Sequence, residues 1–301
     1  MRTIGILGTG DMGSAVGAVL GRAGYRVVTA LAGRSAASRA LATGAGFDDL
    51  GSHDRLIGES ELLLSILPPA AACDFAAASA AIIRARGREI VYADCNAVSP
   101  VTVRSIETLF AGGPARFIDI GIVGPAPKPK TASPTRFYVS GADRQAVLGL
   151  DVPELAMIDM GDRIGRASAL KMCYAAMNKG VDALYANLLL AARRLGVQRE
   201  LMRELESSQP EAGSRIARRV PFLAATAERF TGEMAEIAAT FDAAGVSGDF
   251  YRGAEWLYAL LARSALAAET RATQPDERSL EEALAAYAAA LDAMGADVMA
   301  M

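Results

Sequence analysis

The stretch Thr3-Ile4-Gly5-Ile6-Leu7-Gly8-Thr9-Gly10-Asp11-Met12-Gly13 decides the fold. Ile4–Leu7 is a short apolar run of strand type, and the residues from Met12 onward place apolar side chains at helical spacing. Between them, Gly8, Gly10 and Gly13 form the pattern G-x-G-x-x-G. In a strand–turn–helix unit the first glycine permits the tight turn, and the second lets backbone approach a pyrophosphate. The third lets helix pack on strand. The helix N-terminus then offers unpaired N–H groups and a positive partial charge to the anion, which adds Asp11 and Met12 to the candidate cofactor residues. In a chain with 29 glycines the pattern alone is also compatible with a purely structural turn. Its position directly after a strand and before a periodic helix favours the dinucleotide reading.

Working outward, residues 1 to about 160 alternate apolar runs with helical patterns. The expected strands are Thr3–Leu7, Arg26–Leu31, Glu61–Leu67, Glu89–Asp94, Arg116–Ile120, Phe137–Ser140 and Met157–Asp159. Helices are expected between several of them, including Met12–Ala23, Ala70–Arg84 and Pro100–Phe110. Such alternation predicts an α/β Rossmann domain, a doubly wound and mostly parallel sheet covered on both faces. After Gly165 no strand pattern remains, and Ala, Leu, Glu and Arg dominate, with breaks expected near Pro210, Pro221, Gly245–Gly248 and Pro275. The chain is therefore divided into a dinucleotide-binding Rossmann domain, 1–162, and an all-α domain, 163–301, to which the resemblance described below assigns substrate binding and dimerisation. The substrate cleft is expected between them.

The second strand selects the dinucleotide. An NAD site needs a carboxylate there to accept from the ribose 2′-OH. Here the strand runs into Leu31-Ala32-Gly33-Arg34-Ser35, with no acid before Asp48. Arg34 can pair with a 2′-phosphate and stack on adenine, and Ser35 can donate to that phosphate, with Arg39 one turn on. Gly33, Arg34 and Ser35 thus join the cofactor set, and NADP is expected ahead of NAD. Leu67 and Pro68 end another strand, where the nicotinamide half of the cofactor would lie.

Composition excludes other classes. Net charge is −3 with both signs interspersed, and no basic run suggests a nucleic-acid or membrane partner. Charged residues interrupt every apolar stretch before it reaches a bilayer-spanning length. Cys73, Cys95 and Cys173 form no C-x-x-C pair and are read as reduced thiols of a cytoplasmic protein. The single histidine, His53, sits in a short polar segment, so neither a His–Asp catalytic pair nor a histidine-rich metal site is expected.

Mid-chain, Gly165-Arg166-Ala167-Ser168-Ala169-Leu170-Lys171-Met172 opens a long helix. At 100° per residue, Lys171, Tyr174, Ala175 and Asn178 share one face. Leu170, Met177, Val181, Leu184 and Leu188 form an adjacent apolar stripe expected to bury in the domain core. A lysine beside such a stripe can be partly desolvated and so suited to proton transfer; an ordinary snorkelling lysine is the competing reading.

Together these segments resemble the β-hydroxyacid dehydrogenase superfamily, which includes 6-phosphogluconate and 3-hydroxyisobutyrate dehydrogenases. The resemblance runs through residues 1 to about 190: the Gly8–Gly13 turn, the Leu67–Pro69 loop, Asp94-Cys95-Asn96-Ala97-Val98-Ser99-Pro100, Asp119–Gly124, and the Gly165…Lys171 helix. The helical half is similar to an uncharacterised branch. The resemblance implies that Lys171 is the general acid/base and that the protein forms a homodimer. Three departures bear on substrate. Ala175 replaces an asparagine, Asn178 stands where a second acid would be, and Ile122-Val123-Gly124-Pro125 lacks the serine before its glycines. An amide at Asn178 argues against 6-phosphogluconate decarboxylation.

The expected site comprises Lys171 and Tyr174 for catalysis, and Asn96, Ser99, Val123, Gly124 and Asn178 for substrate. The substrate is expected to be a small hydroxy acid or related carbonyl compound, of anionic type; Lys128 and Lys130 could attract such a charge, but solvated loop lysines are the favoured reading of that pair. Asp94 and Asp119 are read as structural strand-end acids. Two rivals remain: an imine reductase on the same scaffold, against which Lys171 argues, and a non-catalytic NADP-binding sensor. In Phe250-Tyr251-Arg252-Gly253-Ala254-Glu255-Trp256, pocket closure, a subunit interface and core packing all remain open.

Overall fold

The computed structural model describes residues 2–129, 133–270 and 273–299. In chain order its elements begin β1 (Thr3–Leu7), α1 (Asp11–Arg22), β2 (Arg26–Thr29), α2 (Ala36–Gly44), β3 (Asp48–Asp49) and α3 (His53–Glu59). They continue β4 (Leu62–Ser65), α4 (Pro69–Arg86), β5 (Ile90–Asp94), α5 (Pro100–Phe110), β6 (Ala115–Val123), β7 (Thr135–Ser140), α6 (Gln145–Leu148) and β8 (Leu155–Asp159). The rest is helical: α7 (Arg166–Arg194), α8 (Gln198–Ser208), α9 (Pro210–Arg219), α10 (Ala224–Ala243), α11 (Asp249–Leu261) and α12 (Leu280–Met299), with short 3₁₀ turns at Val220–Phe222 and Ala265–Ala268. The chain divides into two compact units at Met172–Cys173, inside α7.

The first unit carries one eight-stranded sheet in the order β3-β2-β1-β4-β5-β6-β7-β8. Every neighbouring pair is parallel except β6 and β7. The strand order reverses between β1 and β4, so the crevice at their carboxyl ends is the ligand position that a doubly wound sheet creates. Alternation along each strand builds two cores, one per face. Ile4, Ile6, Leu62, Leu64, Val91 and Ala93 enter one. Leu7, Leu63, Ile90 and Tyr92 enter the other. Burying each aliphatic side chain of this size contributes about 1.5–3 kcal/mol.

β2 stops at Thr29, two residues before the expected end, because local side chains redirect the backbone. Leu31 N donates to Asp49 Oδ1 at 3.0 Å, and the same oxygen takes Gly51 N at 2.9 Å. The two-residue β3 was absent from the sequence reading, since aspartates rarely mark strands. It forms as an edge, paired to Val28 and Thr29, with Asp48 held by Arg26 Nε at 2.8 Å.

In the second unit the described residues include no strand, as expected, and helices break near Pro210, Pro221, Gly245–Gly248 and Pro275. The expected burial of the α7 stripe is corrected. Met177 is 55% exposed and Leu184 47%, Leu188 is exposed too, while Val181 is half-buried. The buried face instead carries Ala175, Ala176, Ala183, Ala186, Leu189 and Leu190. Small residues win that face because they admit close neighbours: a Cβ on Gly180 would lie 3.2 Å from both Phe250 and Tyr251. Buried Asp182 on α7 is neutralised by Arg215 and Arg219, each with a nitrogen 2.9 Å from a carboxylate oxygen. Tyr258 Oη donates to Lys179 O at 2.9 Å, and its ring meets Phe230 edge-on.

Candidate active site

The three glycines of the turn do not play one role. Gly8 has φ 90°, and a Cβ there would lie 2.2 Å from Ile66 O. At Gly13 a Cβ would lie 1.9 Å from Gly8 O. Both residues are glycine so that the protein can pack against itself. Gly10 differs: its φ is ordinary at −77°, and nothing lies within 4 Å of where its Cβ would be. No feature of the fold demands a glycine there. The backbone there is open to an outside group, which fits the close approach that a dinucleotide pyrophosphate makes. α1 has no side-chain cap at Gly10, so the amides of Asp11 and Met12 are left for such an anion.

The β2 exit adds the candidate adenosine end. Gly33 turns with φ 72°. Arg34 is half-buried, its guanidinium carbon 4.8 Å from the centre of the Phe75 ring, a cation–π arrangement. Arg34 O accepts from Arg39 Nε at 3.1 Å. Ser35 caps α2, accepting from Ser38 N at 3.2 Å. Phe75 was not in the expected set; it lies in an alanine-rich helix whose sequence does not reveal which side chain meets Arg34. His53, read as part of a polar segment, is half-buried beside this cluster.

At the ends of β4 and β5 the Asn96 side chain is held by three hydrogen bonds. Its side chain is 2% exposed. Oδ1 accepts from Leu67 N at 2.6 Å, while Nδ2 donates to Ser65 Oγ at 3.1 Å and to Asp94 Oδ2 at 2.8 Å. With its amide committed inside the protein, Asn96 fastens the Leu67–Pro68 loop to β5 and offers no exposed donor to a substrate. Ser99 is fully buried and caps α5, accepting from Thr102 N at 3.0 Å. Pro68 precedes α4 at the surface. Val123 is buried at the end of β6, and exposed Gly124 turns with φ 121°. Lys130 lies outside the described residues, and Lys128 is exposed.

The start of α7 is fixed by one carboxylate. Asp119, wholly buried on β6, accepts at Oδ2 from Ser140 Oγ (2.9 Å), Gly165 N (2.9 Å) and Ser168 N (3.2 Å), and at Oδ1 from Ser168 Oγ (2.7 Å). Placing a negative charge at a helix N-terminus satisfies open amides and opposes the macrodipole. Burial pushes the Asp119 carboxyl up, and these donors work against that shift. Gly121, also on β6, lets the helix approach: a Cβ there would lie 2.6 Å from Ala167 O and 3.1 Å from Lys171 Cβ. A lone glycine inside a strand is the sequence signal for such an approach.

Lys171 is half-buried next to this contact. Its charge acts on Asp94, which burial pushes up to about 7 against the hydrogen bonds from Asn96. Burial also holds the Cys95 thiol well above its ordinary range, in its neutral form. Tyr174, one turn on, is 45% exposed. Asn178 Nδ2 donates to Tyr174 O at 3.1 Å. Among the described residues no group of histidine, cysteine and acidic side chains is arranged to hold a metal ion.

The glycine turn, the switch point and the β2 exit define an NAD(P)-binding Rossmann domain of the oxidoreductase type. Residues 3–148 match the family model described as the NAD binding domain of 6-phosphogluconate dehydrogenase. Residues 192–261 match a domain of unknown function, DUF1932. The chain thus carries an NAD(P)-binding Rossmann domain similar to that of 6-phosphogluconate dehydrogenase, followed by a helical region. A relative from Methanothermus fervidus, an uncharacterised 28.5 kDa protein, is 24% identical over 68% of this chain and 77% of its own. Among solved structures, a conserved protein of unknown function with structural similarity to 3-hydroxyacid dehydrogenases is 27% identical, with TM-score 0.61 over 86% of this chain and 98% of that one. The 3-hydroxyisobutyrate dehydrogenase of Mycobacterium tuberculosis shares the fold at 19% identity and TM-score 0.63, covering 86% of this chain and 93% of that one.

Proposed function

We propose that the protein is an NADP-dependent oxidoreductase acting on a small, anionic hydroxy acid or related carbonyl compound, with Lys171 as general acid/base. The observation that carries this reading is the pinning of the Lys171 turn by Asp119 and Gly121 within the same compact unit as the glycine turn. A surface lysine needs no such support. When bound, the nicotinamide supplies or accepts the hydride. Lys171 takes the proton from the substrate hydroxyl as hydride leaves the carbon, and returns it in the reverse direction. Tyr174 on the same helix face hydrogen-bonds the reacting oxygen. The Val123–Gly124 turn would contact the rest of the substrate, and Leu67 and Pro68 would hold the nicotinamide half of the cofactor. Arg34 supports NADP over NAD, because a guanidinium stands where an NAD site has a carboxylate.

A homodimer is part of this proposal. Tyr174, Met177, Val181, Leu184, Leu188 and Ala191 of α7, with Leu195 in the turn that follows it, recur at alternating spacings of three and four, and five of them are exposed large apolar side chains. That is the seam along which two helices pair. No described helix is long and apolar enough to cross a membrane.

The test is a panel of small hydroxy acids, carbonyl compounds and imines, followed by cofactor absorbance, on the wild type and Lys171→Met. The variant keeps the packing volume and removes the titrating group. General acid–base catalysis contributes about 10²–10⁴-fold, so kcat falls by at least the lower figure with little change in NADP affinity. Near-normal turnover by Lys171→Met would refute the role of the lysine.

A further inference from the structure

The single histidine lies where the proposed NADP phosphate would bind. His53 opens α3, and its ring lies 5.9 Å from that of Phe75, centre to centre. The same Phe75 ring carries the Arg34 guanidinium at 4.8 Å. Both groups rest on one ring, so an anion held by Arg34 lies within about one Debye length, ~10 Å at 0.1 M salt, of the imidazole. Ser79 fixes the tautomer. Its hydroxyl donates to Phe75 O at 2.7 Å, which uses its only hydrogen, so at 3.0 Å it accepts from His53 Nε2–H. Nδ1 is left as the position for a second proton.

The charged groups around the ring set its state. Burial and then Arg34 push the His53 pKa down, and Asp54 opposes them. Asp54 is itself held by Arg86 of α4, with Nε at 3.0 Å. On β2, which also packs against α3, Arg26 is paired with Asp48 and Glu59. Cys73 and Asp74 of α4 are exposed. At neutral pH the ligand-free protein therefore holds His53 uncharged beside a cation.

We propose that His53 is a second determinant of NADP specificity, and that binding of the 2′-phosphate beside Arg34 draws one proton from solvent onto Nδ1. This rests on the reading of Arg34 as the phosphate partner. The dianion reverses the sign of the field at the ring, and the imidazolium then adds a second positive charge to the pocket. NADP affinity consequently rises as pH falls through the His53 transition, while NAD affinity does not.

Because the chain has one histidine, untagged protein gives a single imidazole signal in NMR, and its titration can be followed without assignment. Saturating NADPH is expected to raise the midpoint by about one unit, and NADH to leave it unchanged. His53→Gln keeps a donor for Ser79 and cannot take the proton. Relative to wild type it is expected to lose severalfold NADPH affinity near pH 6 and to match it near pH 8.5. The phosphate's own titration is common to both proteins and cancels. Equal midpoints with NADPH and NADH, or a variant indistinguishable at both pH values, would overturn the inference and leave Arg34 in place. If Arg34→Ala weakens NADPH no more than NADH, the reading of Arg34 fails and this inference with it.

Discussion

Asp94 shows how one buried side chain can make stability depend on pH. Its carboxyl is pushed up to about 7, chiefly by burial, whereas an unfolded aspartate titrates near 3.9. Between about pH 4 and 7 the folded protein holds a proton that the unfolded chain releases. The contribution is therefore fully present below about pH 4 and is lost as pH rises through 7. Asp94→Asn cannot titrate, so the wild-type unfolding free energy minus that of the variant should fall across this window, by more than about 1.4 kcal/mol, the value of one unit. It should flatten above pH 7. Denaturant titrations at several pH values measure it, and a difference constant from pH 4 to 7 would contradict the assignment. At this scale the sequence was uneven as a guide. It singled out Gly8 and Gly13, whose backbone packing leaves no room for a Cβ. It could not show that Asn96 spends its amide on Leu67, Ser65 and Asp94, since those partners meet only when β4 and β5 align.

Among the elements, the contact between β6 and the first turn of α7 controls where Lys171 stands. Gly121→Val would drive a branched side chain into Ala167 O and Lys171 Cβ. Overpacking of this kind costs about 1–3 kcal/mol, and the helix can relieve it only by shifting the lysine. The expected result is a large loss of kcat with NADPH affinity within about twofold of wild type, because the glycine turn is elsewhere on the sheet. Equal loss of both would mean a general collapse of the unit. Strand and helix types were largely readable from periodicity, including the all-helical region after Gly165. β3 escaped because its two aspartates carry no strand pattern and pair only as an edge. The α7 stripe shows another limit: periodicity finds an apolar face but not what covers it, and here an alanine-rich face faces the interior instead.

For the molecule as a whole, the exposed seam on α7 makes oligomeric state a measurable consequence. Two chains joined along it would cover Met177, Leu184 and Leu188, each exposed in the isolated chain. Leu184→Asp combined with Leu188→Asp should give a monomer by sedimentation or light scattering at concentrations where the wild type is dimeric. NADPH binding to the first unit should persist in it. A wild-type protein that is monomeric at those concentrations would refute the dimer.

The open space at Gly10 has a consequence for inherited variation. A valine at Gly8 or Gly13 collides with backbone and damages folding, so cellular quality control would remove much of the product. At Gly10 a Cβ would have no neighbour within 4 Å, so Gly10→Val should accumulate to wild-type levels while failing to bind NADPH. A survey scoring abundance and activity together should find the two uncoupled at Gly10 and coupled at Gly8 and Gly13. Chaperones and proteases would be blind to the loss of the one glycine of this turn that packs against nothing.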